Sequence, residues 1–157
     1  MQADIFHWPV RVYWEDTDAG GIVFYANYLK FFERARTEWL RALGLAQREL
    51  RELEGGMFVV SEARVRYAAP ARLDDELIVT AQLLEAGRAS LTIAQQAFAK
   101  GARPAPDTAS PACNHGPLLC EGAIRIGWVD AATLRPARIP PAVLQRLPRP
   151  PQTTNAP

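Results

Sequence analysis

The sequence predicts an α+β fold in which a five-stranded antiparallel sheet wraps around one long helix. Five segments alternate polar and apolar residues with the two-residue period of a strand. Only residues 25–43 repeat their apolar residues at intervals of three and four, as a helix does. The links at residues 69–75 and 86–88 are short, which favours antiparallel neighbours. Because one helix covers only one face of a sheet, we expect the other face or an edge to meet a second subunit.

The N-terminal part of the chain predicts a strand, a turn and the long helix, in that order. Residues 10–15 alternate as a strand does, and two acids, Asp16 and Asp18, follow it. Residues 19–21 contain two glycines and predict a tight turn before the helix. The apolar surface of the helix is wide, so we expect it to be largely buried, and Gly44 stands where a C-terminal cap belongs.

The remaining strands follow a short, charged helix that is expected at residues 45–53 and ends at Gly55 and Gly56. Four segments alternate as strands, namely residues 57–67, 76–84, 90–99 and 118–129. In the first of them, one face is expected to hold Val59, Ser61, Ala63, Val65 and Tyr67.

Two proline-rich segments lack this periodicity. Residues 101–117 contain four prolines and predict a long mobile loop, and residues 148–157 predict a disordered tail. We expect one domain at residues 1–139, followed at residues 140–157 by a helical turn and the tail. Both proline-rich segments are expected to be dispensable for folding, because they bury little apolar surface.

The composition excludes several classes of protein. A chain of 157 residues with 48% hydrophobic residues forms one globular domain, and its net charge of +1 gives no general attraction to nucleic acid or anionic membrane. No segment is apolar enough to be transmembrane and the N-terminus does not have the form of a signal peptide, so we expect a cytoplasmic protein. Cys113 and Cys120 are then reduced thiols. A metal site would have to use His115 between them and the distant His7, and we expect neither metal nor cofactor.

The arrangement around Asp18 predicts chemistry on an activated acyl group. A carboxylate there stands beside the N-terminus of a helix, where free backbone N–H groups can hold a developing oxyanion. The alternative is an ordinary turn aspartate that hydrogen-bonds its own backbone, and the spacing alone favours that alternative.

Four segments resemble a known family: VRVYWEDTDAGGIVFYANYLKFFERARTEWLR, FVV, YAAPARLDDEL and GRASLTIAQQ. They are similar to the hotdog-fold acyl-CoA thioesterases of the 4-hydroxybenzoyl-CoA thioesterase family, and most similar to the bacterial branch encoded beside the Tol-Pal envelope system. The resemblance implies hydrolysis of acyl-CoA to a free acid and coenzyme A, without a cofactor. It also implies a homo-oligomer, dimer or tetramer, with the thioester lying between subunits.

The resemblance also implies residue roles. Asp18 falls on the family's catalytic acid, and the backbone N–H of Tyr25 falls on the group that polarises the thioester carbonyl. Arg88 and Ser90 fall near the coenzyme A nucleotide. An alternative for Arg88 is a solvated turn arginine.

The glycine turn and the start of the helix are further parts of the candidate site. Gly20 and Gly21 let the backbone turn sharply and approach a substrate. Asn27 either lines the pocket or caps the helix, and the sequence leaves both possibilities open. Asp16 is expected to be structural, through hydrogen bonds to the loop.

The chain departs from the family pattern in two places. The Tol-Pal branch is expected to have a histidine where this chain has Tyr25, and a tyrosine there resembles the aromatic-acyl branch, so aromatic and aliphatic substrates both stay open. Residues 101–117 stand where the family has a tight hairpin. Glu33 is expected to pair with Arg36 or Arg34 rather than to act in catalysis.

Two other functions are compatible with the same fold. One is a non-catalytic acyl-CoA-binding or envelope-complex interaction module, against which the intact Asp18 and glycine turn argue. The other is a dehydratase, whose chemistry requires a histidine paired with an acid, and neither His7 nor His115 has such a setting. Whether Asp18 is a nucleophile or a general base also stays open.

Overall fold

The computed structural model describes residues 4–100 and 115–152. In chain order the elements are β1 (Phe6–Arg11), a 3-10 turn (Trp14–Asp16), α1 (Asn27–Ala42), α2 (Gln47–Glu54), β2 (Gly56–Tyr67), β3 (Glu76–Ala86), β4 (Ser90–Lys100), β5 (His115–Asp130) and α3 (Pro141–Leu144). None of the helices formed by these residues is long and apolar enough to cross a membrane.

The five strands form one antiparallel sheet in the order β1-β3-β4-β5-β2, and its inner face packs on α1. The helix buries its apolar side completely at Phe31, Phe32 and Ala35, and the facing strand residues Leu77, Leu91 and Ile124 are equally buried. The predicted α+β architecture with one long central helix is therefore confirmed.

The order of the strands corrects one expectation. The short link before β3 was expected to join neighbouring strands, but β2 lies at the far edge beside β5, and β4 and β5 separate it from β3. Residues 68–75 instead cross the end of the sheet, a path that about 14 Å of strand spacings allows for eight residues. This crossing passes under the N-terminal end of α1, where Ile22 forms a bridge with Arg72.

The first strand lies earlier in the chain than predicted. β1 ends at Arg11, and residues 14–16 form a 3-10 turn instead of continuing the strand. The physical reason is a local hydrogen bond, in which the Tyr13 N–H donates to Asp16 Oδ2 at 2.8 Å and bends the chain. The alternation of residues 10–15 therefore does not mark a strand over its whole length.

The second strand changes face halfway along. The pairing of β2 with β5 is interrupted between Val60 and Glu62, so an extra residue enters the strand there. Val60 pairs with Ile126 and Ala63 pairs with Ile124, and both isoleucines are buried. Val60 and Ala63 therefore lie on the same face of β2, on either side of the bulge. The prediction that one uninterrupted face holds Val59, Ser61, Ala63, Val65 and Tyr67 is therefore wrong, because the bulge reverses the alternation.

The helices end as the glycines predict. Gly44 has a φ of +76°, and the Leu45 N–H after it donates to Leu40 O at 2.8 Å, which closes α1. Gly55 ends α2 in the same left-handed conformation. At its other end α1 begins at Asn27, two residues after the predicted start, so Tyr25 lies in the turn that precedes the helix.

The C-terminal residues pack on the domain. The helical turn expected near the C-terminus is α3, with Val143 buried in the core, and Arg146 Nη1 donates to Gly44 O at 2.6 Å. Residues 148–152 have no regular structure, and residues 153–157 of the predicted tail lie outside the described residues. His115, Gly116 and Pro117 belong to β5 rather than to the predicted loop, whose other residues, 101–114 with Cys113, lie outside the described residues.

Candidate active site

Asp18 lies in a tight turn that ends a short two-stranded bridge. Thr17 pairs with Val23, the Asp18 N–H donates to Ile22 O at 2.9 Å, and the Gly21 N–H donates to Asp18 O at 3.1 Å. Asp18 Oδ1 accepts the Gly20 N–H at 2.8 Å, so the ordinary turn role of an aspartate is present. Oδ2 has no hydrogen-bond partner among the described residues, and the side chain is exposed, so this oxygen can reach a substrate or a water.

The two glycines of the turn act in different ways. A Cβ at Gly20 would lie 3.1 Å from Asp18 Oδ1, so the absence of a side chain leaves room for the carboxylate. Gly21 has a φ of +75°, a conformation that side chains with a Cβ rarely adopt. Gly20 thus leaves space for the carboxylate, and Gly21 suits the backbone conformation of the turn.

Asp16 is a structural residue, although it is only two positions from Asp18. Its side chain is buried, with 4% of the residue exposed, and it accepts the Tyr13 N–H. Its backbone carbonyl accepts both the Phe24 N–H, at 3.0 Å, and Asn27 Nδ2, at 2.8 Å. Asn27 therefore neither caps the helix nor lines the groove described below. Its buried amide instead ties the start of α1 to the segment that holds Asp16 and Asp18, which we call the acidic turn.

The turn before α1 presents free backbone donors. The Phe24 carbonyl accepts the Asn27 N–H at 2.8 Å, but the N–H groups of Tyr25 and Ala26 find no acceptor in the described part of the chain. The first turn of α1 contains no acidic side chain that would compete for an anion. The positive end of the helix dipole is therefore open near Asp18, as an oxyanion site requires.

An apolar groove of about 280 Å³ opens beside this helix end. Its lining residues are Ile22, Val23, Tyr25, Tyr28, Tyr67, Ala68, Ala69 and Pro70. Tyr28, expected in the core, is almost completely buried and also lines the groove, where its Oη accepts the Ala71 N–H at 3.1 Å. Tyr67 was not assigned to the site from the sequence, because alternation shows which face of a strand a residue is on but not whether that residue lines a groove.

Two of the groove phenols, those of Tyr28 and Tyr67, favour their protonated form. Burial, as the largest cause, raises the pKa of Tyr28 and of Tyr67 above the ordinary value. The Tyr67 hydroxyl donates to the Tyr25 backbone carbonyl at 3.0 Å. The hydroxyls of Tyr28 and Tyr67 thus bind the protein backbone at the walls of the groove.

Arg88 and Ser90 lie at the other end of the sheet. Ser90 helps to line a second cavity of about 290 Å³, and its Oγ lies 3.4 Å from both Nε and Nη2 of Arg125. Arg88 is exposed in the β3–β4 turn, where its carbonyl accepts the Ile139 N–H. The 11 residues of β3 separate this turn from the Asp18 end by roughly 30 Å. One chain therefore does not bring Arg88 and Ser90 to Asp18, and the sequence reasoning missed Arg125.

The expected ion pair of Glu33 with Arg36 or Arg34 does not form, so that prediction is wrong. Arg36 turns inward, is buried, and donates from Nη1 to Gln95 Oε1 at 2.8 Å, while the Arg34 guanidinium lies over the Phe31 ring at 5.7 Å. Glu33 forms no ion pair with any described residue. Burial is the main cause that lowers the pKa of Arg36, whose role is to join α1 to β4.

Known proteins share both the sequence pattern and the fold. A family model for the thioesterase-like superfamily matches residues 12–147. The acyl-CoA thioester hydrolase YbgC of Escherichia coli is 38% identical over 144 residues, which are 92% of this chain and 96% of that protein. The acyl-CoA thioesterase YbgC of Haemophilus influenzae is 36% identical over 138 residues, 88% of this chain and 90% of that protein.

A solved structure shows the same architecture. The crystal structure of a 4-hydroxybenzoyl-CoA thioesterase variant bound to 4-hydroxybenzoyl-CoA matches with a TM-score of 0.76. The match covers 90% of this chain and 97% of that chain at 18% identity, so it is a likeness of fold.

Proposed function

The chain belongs to the thioesterase-like superfamily, and with that family as the premise we propose that it hydrolyses acyl-CoA thioesters through Asp18. The enzyme has the hotdog fold and is a thioester hydrolase, as its relatives are. One observation supports the role of Asp18 above all others: its free Oδ2 and the unpaired Tyr25 N–H belong to one short segment beside an apolar groove. A nucleophile or base, an oxyanion donor and an acyl site are thus close together in the chain.

In the proposed reaction the thioester carbonyl oxygen accepts the Tyr25 N–H as negative charge develops on it. Asp18 then acts in one of two ways. It attacks the carbonyl carbon and forms a mixed anhydride, with the coenzyme A thiolate as leaving group, and water later splits the anhydride. Alternatively it takes a proton from the water that attacks. Either route yields a free acid and coenzyme A, and an oxyanion donor of this kind is worth about 3–4 kcal/mol.

The proposal is that the acyl group binds in a site beside α1, the apolar groove. Its walls are aromatic and aliphatic, and the hydroxyls of Tyr28 and Tyr67 are engaged with the backbone. An apolar acyl group fits this lining, and the proposal covers both aliphatic and aromatic acids. Rates of thiol release from short, long and aromatic acyl-CoAs would rank them.

The proposal places the coenzyme A nucleotide at the β3–β4 turn, near Arg88 and Ser90. Because that turn lies roughly 30 Å from Asp18 in one chain, the nucleotide of a substrate at Asp18 must meet the turn of a neighbouring subunit. The edge strand β2 supports such an assembly, since it is 12 residues long and exposes Val59 and Val60. Arg88→Ala is then expected to raise KM for acyl-CoA but not for an acyl thioester without the nucleotide.

Two parts of the proposal concern the cell. A cytoplasmic enzyme is consistent with Cys120, which is a free thiol, and fractionation of the cell tests this. The resemblance to the branch encoded beside the Tol-Pal envelope system adds an association with that system. Co-purification of the tagged enzyme with envelope components tests the association.

The substitution Asp18→Asn tests the mechanism. It preserves the shape and the turn hydrogen bond, but it removes both the nucleophile and the base. We expect kcat to fall at least about a hundredfold, while calorimetry shows that acyl-CoA still binds. The matched control is Asp16→Asn, which changes the same functional group two residues earlier and should retain most of the turnover. Near-native turnover of the Asp18 variant would exclude the proposed mechanism.

A further inference from the structure

The last residue of the edge strand β2, Tyr67, contacts the turn that presents the oxyanion donor. Its hydroxyl donates to the backbone carbonyl of Tyr25 at 3.0 Å. Its ring meets the Tyr25 ring edge-on, with centroids 6.1 Å apart, and lies 5.7 Å from the Tyr28 ring. Tyr67 therefore joins the edge strand β2 to the turn that precedes α1.

The turn at Tyr25 has few other restraints. Tyr25 lies outside the helix, its side chain is exposed, and its carbonyl accepts no hydrogen bond from any other described residue. The peptide group before it is held differently, because the Phe24 carbonyl accepts the Asn27 N–H. The Tyr67 hydroxyl thus supplies the second of two restraints, one for each peptide group that flanks the Tyr25 α-carbon.

We infer that Tyr67 is a positioning residue: by holding the Tyr25 carbonyl it fixes the peptide plane that carries the unpaired Ala26 N–H, and with it the backbone angle at the Tyr25 α-carbon that aims the Tyr25 N–H at the thioester carbonyl. This inference rests on the proposed function of the site. Burial raises the pKa of Tyr67, so the hydroxyl stays a donor throughout the neutral and mildly alkaline range. The restraint is therefore present wherever the enzyme is expected to work.

The physical consequence is specific to the transition state. A donor stabilises a developing oxyanion in proportion to how well it is oriented before the reaction begins. The ground-state carbonyl carries little charge and depends much less on that orientation. Loss of the restraint should therefore reduce kcat and leave KM almost unchanged. Because every substrate has the same thioester carbonyl, the loss should not depend on the acyl group.

The test is Tyr67→Phe, which keeps the ring and removes only the hydroxyl. Initial rates are measured with acetyl-CoA, hexanoyl-CoA and benzoyl-CoA. We expect kcat to fall about tenfold by the same factor for all three, with KM within about twofold of the parent value. The matched control is Tyr13→Phe, since the Tyr13 hydroxyl is exposed and bonds to none of the described residues. That variant should keep the parent kcat.

Several results would overturn the inference. They are an unchanged kcat, a loss that appears in KM, or a loss that differs among the three acyl groups. The variant Tyr67→Leu removes the ring as well and should lose at least as much turnover. A loss confined to Tyr67→Leu would assign the effect to the ring and reject the hydroxyl. Melting temperatures confirm that each variant is folded.

Asp18→Asn is measured beside these variants to separate the two hypotheses. If Asp18→Asn is inactive and Tyr67→Phe is fully active, only the role of Tyr67 fails. If Asp18→Asn keeps near-native turnover, the proposed function of the site fails, whatever the result for Tyr67.

Discussion

Asp16 and Asp18 show how strongly the environment separates identical side chains. Asp16 is buried and its carboxylate binds the Tyr13 N–H, whereas Asp18 is exposed and keeps one oxygen free. The difference follows from the 3-10 turn, which directs the first carboxylate inward and releases the chain before the second. Gly20 then leaves space beside the exposed carboxylate.

Gly20→Ala is expected to reduce activity more than stability. The added Cβ would lie 3.1 Å from Asp18 Oδ1 and displace the carboxylate, so kcat should fall by about tenfold, a fraction of a full acid–base contribution. The comparison variant is Gly21→Ala, which has open space around its Cβ but a φ of +75° and should lose about 1 kcal/mol of unfolding free energy. Urea unfolding and initial rates of both variants are the measurements. Full turnover in Gly20→Ala would show that the carboxylate has room to move.

Cys120 is expected to lower the free energy of unfolding as the pH becomes alkaline. Burial, followed by the nearby Glu121 charge, raises the pKa of this thiol from 9.0 to about 12. Below pH 9 the thiol is protonated in both states and stability is at its full value. As the pH rises toward 12 the unfolded chain loses the proton first, so the folded state is progressively destabilised.

Urea unfolding at pH 8 and pH 10 measures this effect. We expect the Cys120 thiol to lower the unfolding free energy at pH 10 by about 1 kcal/mol, since one pKa unit corresponds to roughly 1.4 kcal/mol. Cys120→Ala has no thiol at this position and should show a smaller difference between the two pH values. An equal difference in both proteins would contradict the raised pKa.

At the scale of elements, the end of the sheet beside the helix N-terminus is built from crossing segments. Residues 68–75 cross from β2 to β3 there, and the Leu73 N–H donates to Gly21 O at 3.2 Å, so this link supports the acidic turn. At the opposite end of α1, the C-terminal segment supplies Val143 to the core and Arg146 to the helix cap. The helix is therefore held at both ends by segments that lie outside the five strands.

Two truncations test the C-terminal segment. A chain that ends at Leu147 should keep its melting temperature within a few degrees, because residues 148–152 have no helix or strand. A chain that ends at Pro140 loses the buried Val143 and the Arg146 bond, and should lose about 3 kcal/mol or more of unfolding free energy. Equal stability of the two truncated chains would show that α3 contributes nothing to the core. The dispensability of residues 101–117 stays a prediction.

At the scale of the whole molecule, apolar side chains remain exposed around the site and along one edge. Trp14 is 81% exposed beside the acidic turn, and Val60 is 52% exposed on the edge strand β2. Exposed apolar surface of this kind, next to an unpaired strand, is typical of an interface between subunits. It supports the proposed homo-oligomer with its site between subunits.

Val60→Lys tests the interface. A charge on the β2 edge should shift the protein toward a monomer in light scattering, and kcat/KM for acyl-CoA should fall at least about tenfold if the nucleotide site belongs to the neighbouring subunit. Leu134→Lys is the control, because Leu134 is similarly exposed on the turn after β5 and should change neither quantity. A fully active monomer of the parent protein would reject the proposal.

The sequence by itself determined the elements, because their signals are local. The period of residues 25–43 identified the buried helix, and Gly44 marked its end through its positive φ. Alternation identified β2, β3, β4 and β5, but it placed β1 too late in the chain. The family also followed from the sequence, because the resemblance lies in four contiguous segments, the longest of which contains Asp18. These features need no information about distant parts of the chain.

Only the tertiary structure decided which distant residues meet. Non-local hydrogen bonds and burial placed Tyr67 against Tyr25, turned Arg36 inward to Gln95, and set β2 beside β5. None of these contacts leaves a local pattern, because alternation records only which face of a strand is apolar and not which strand lies next to it. The separation of Ser90 from Asp18 is likewise a property of the folded sheet, and it makes the neighbouring subunit part of the proposed site.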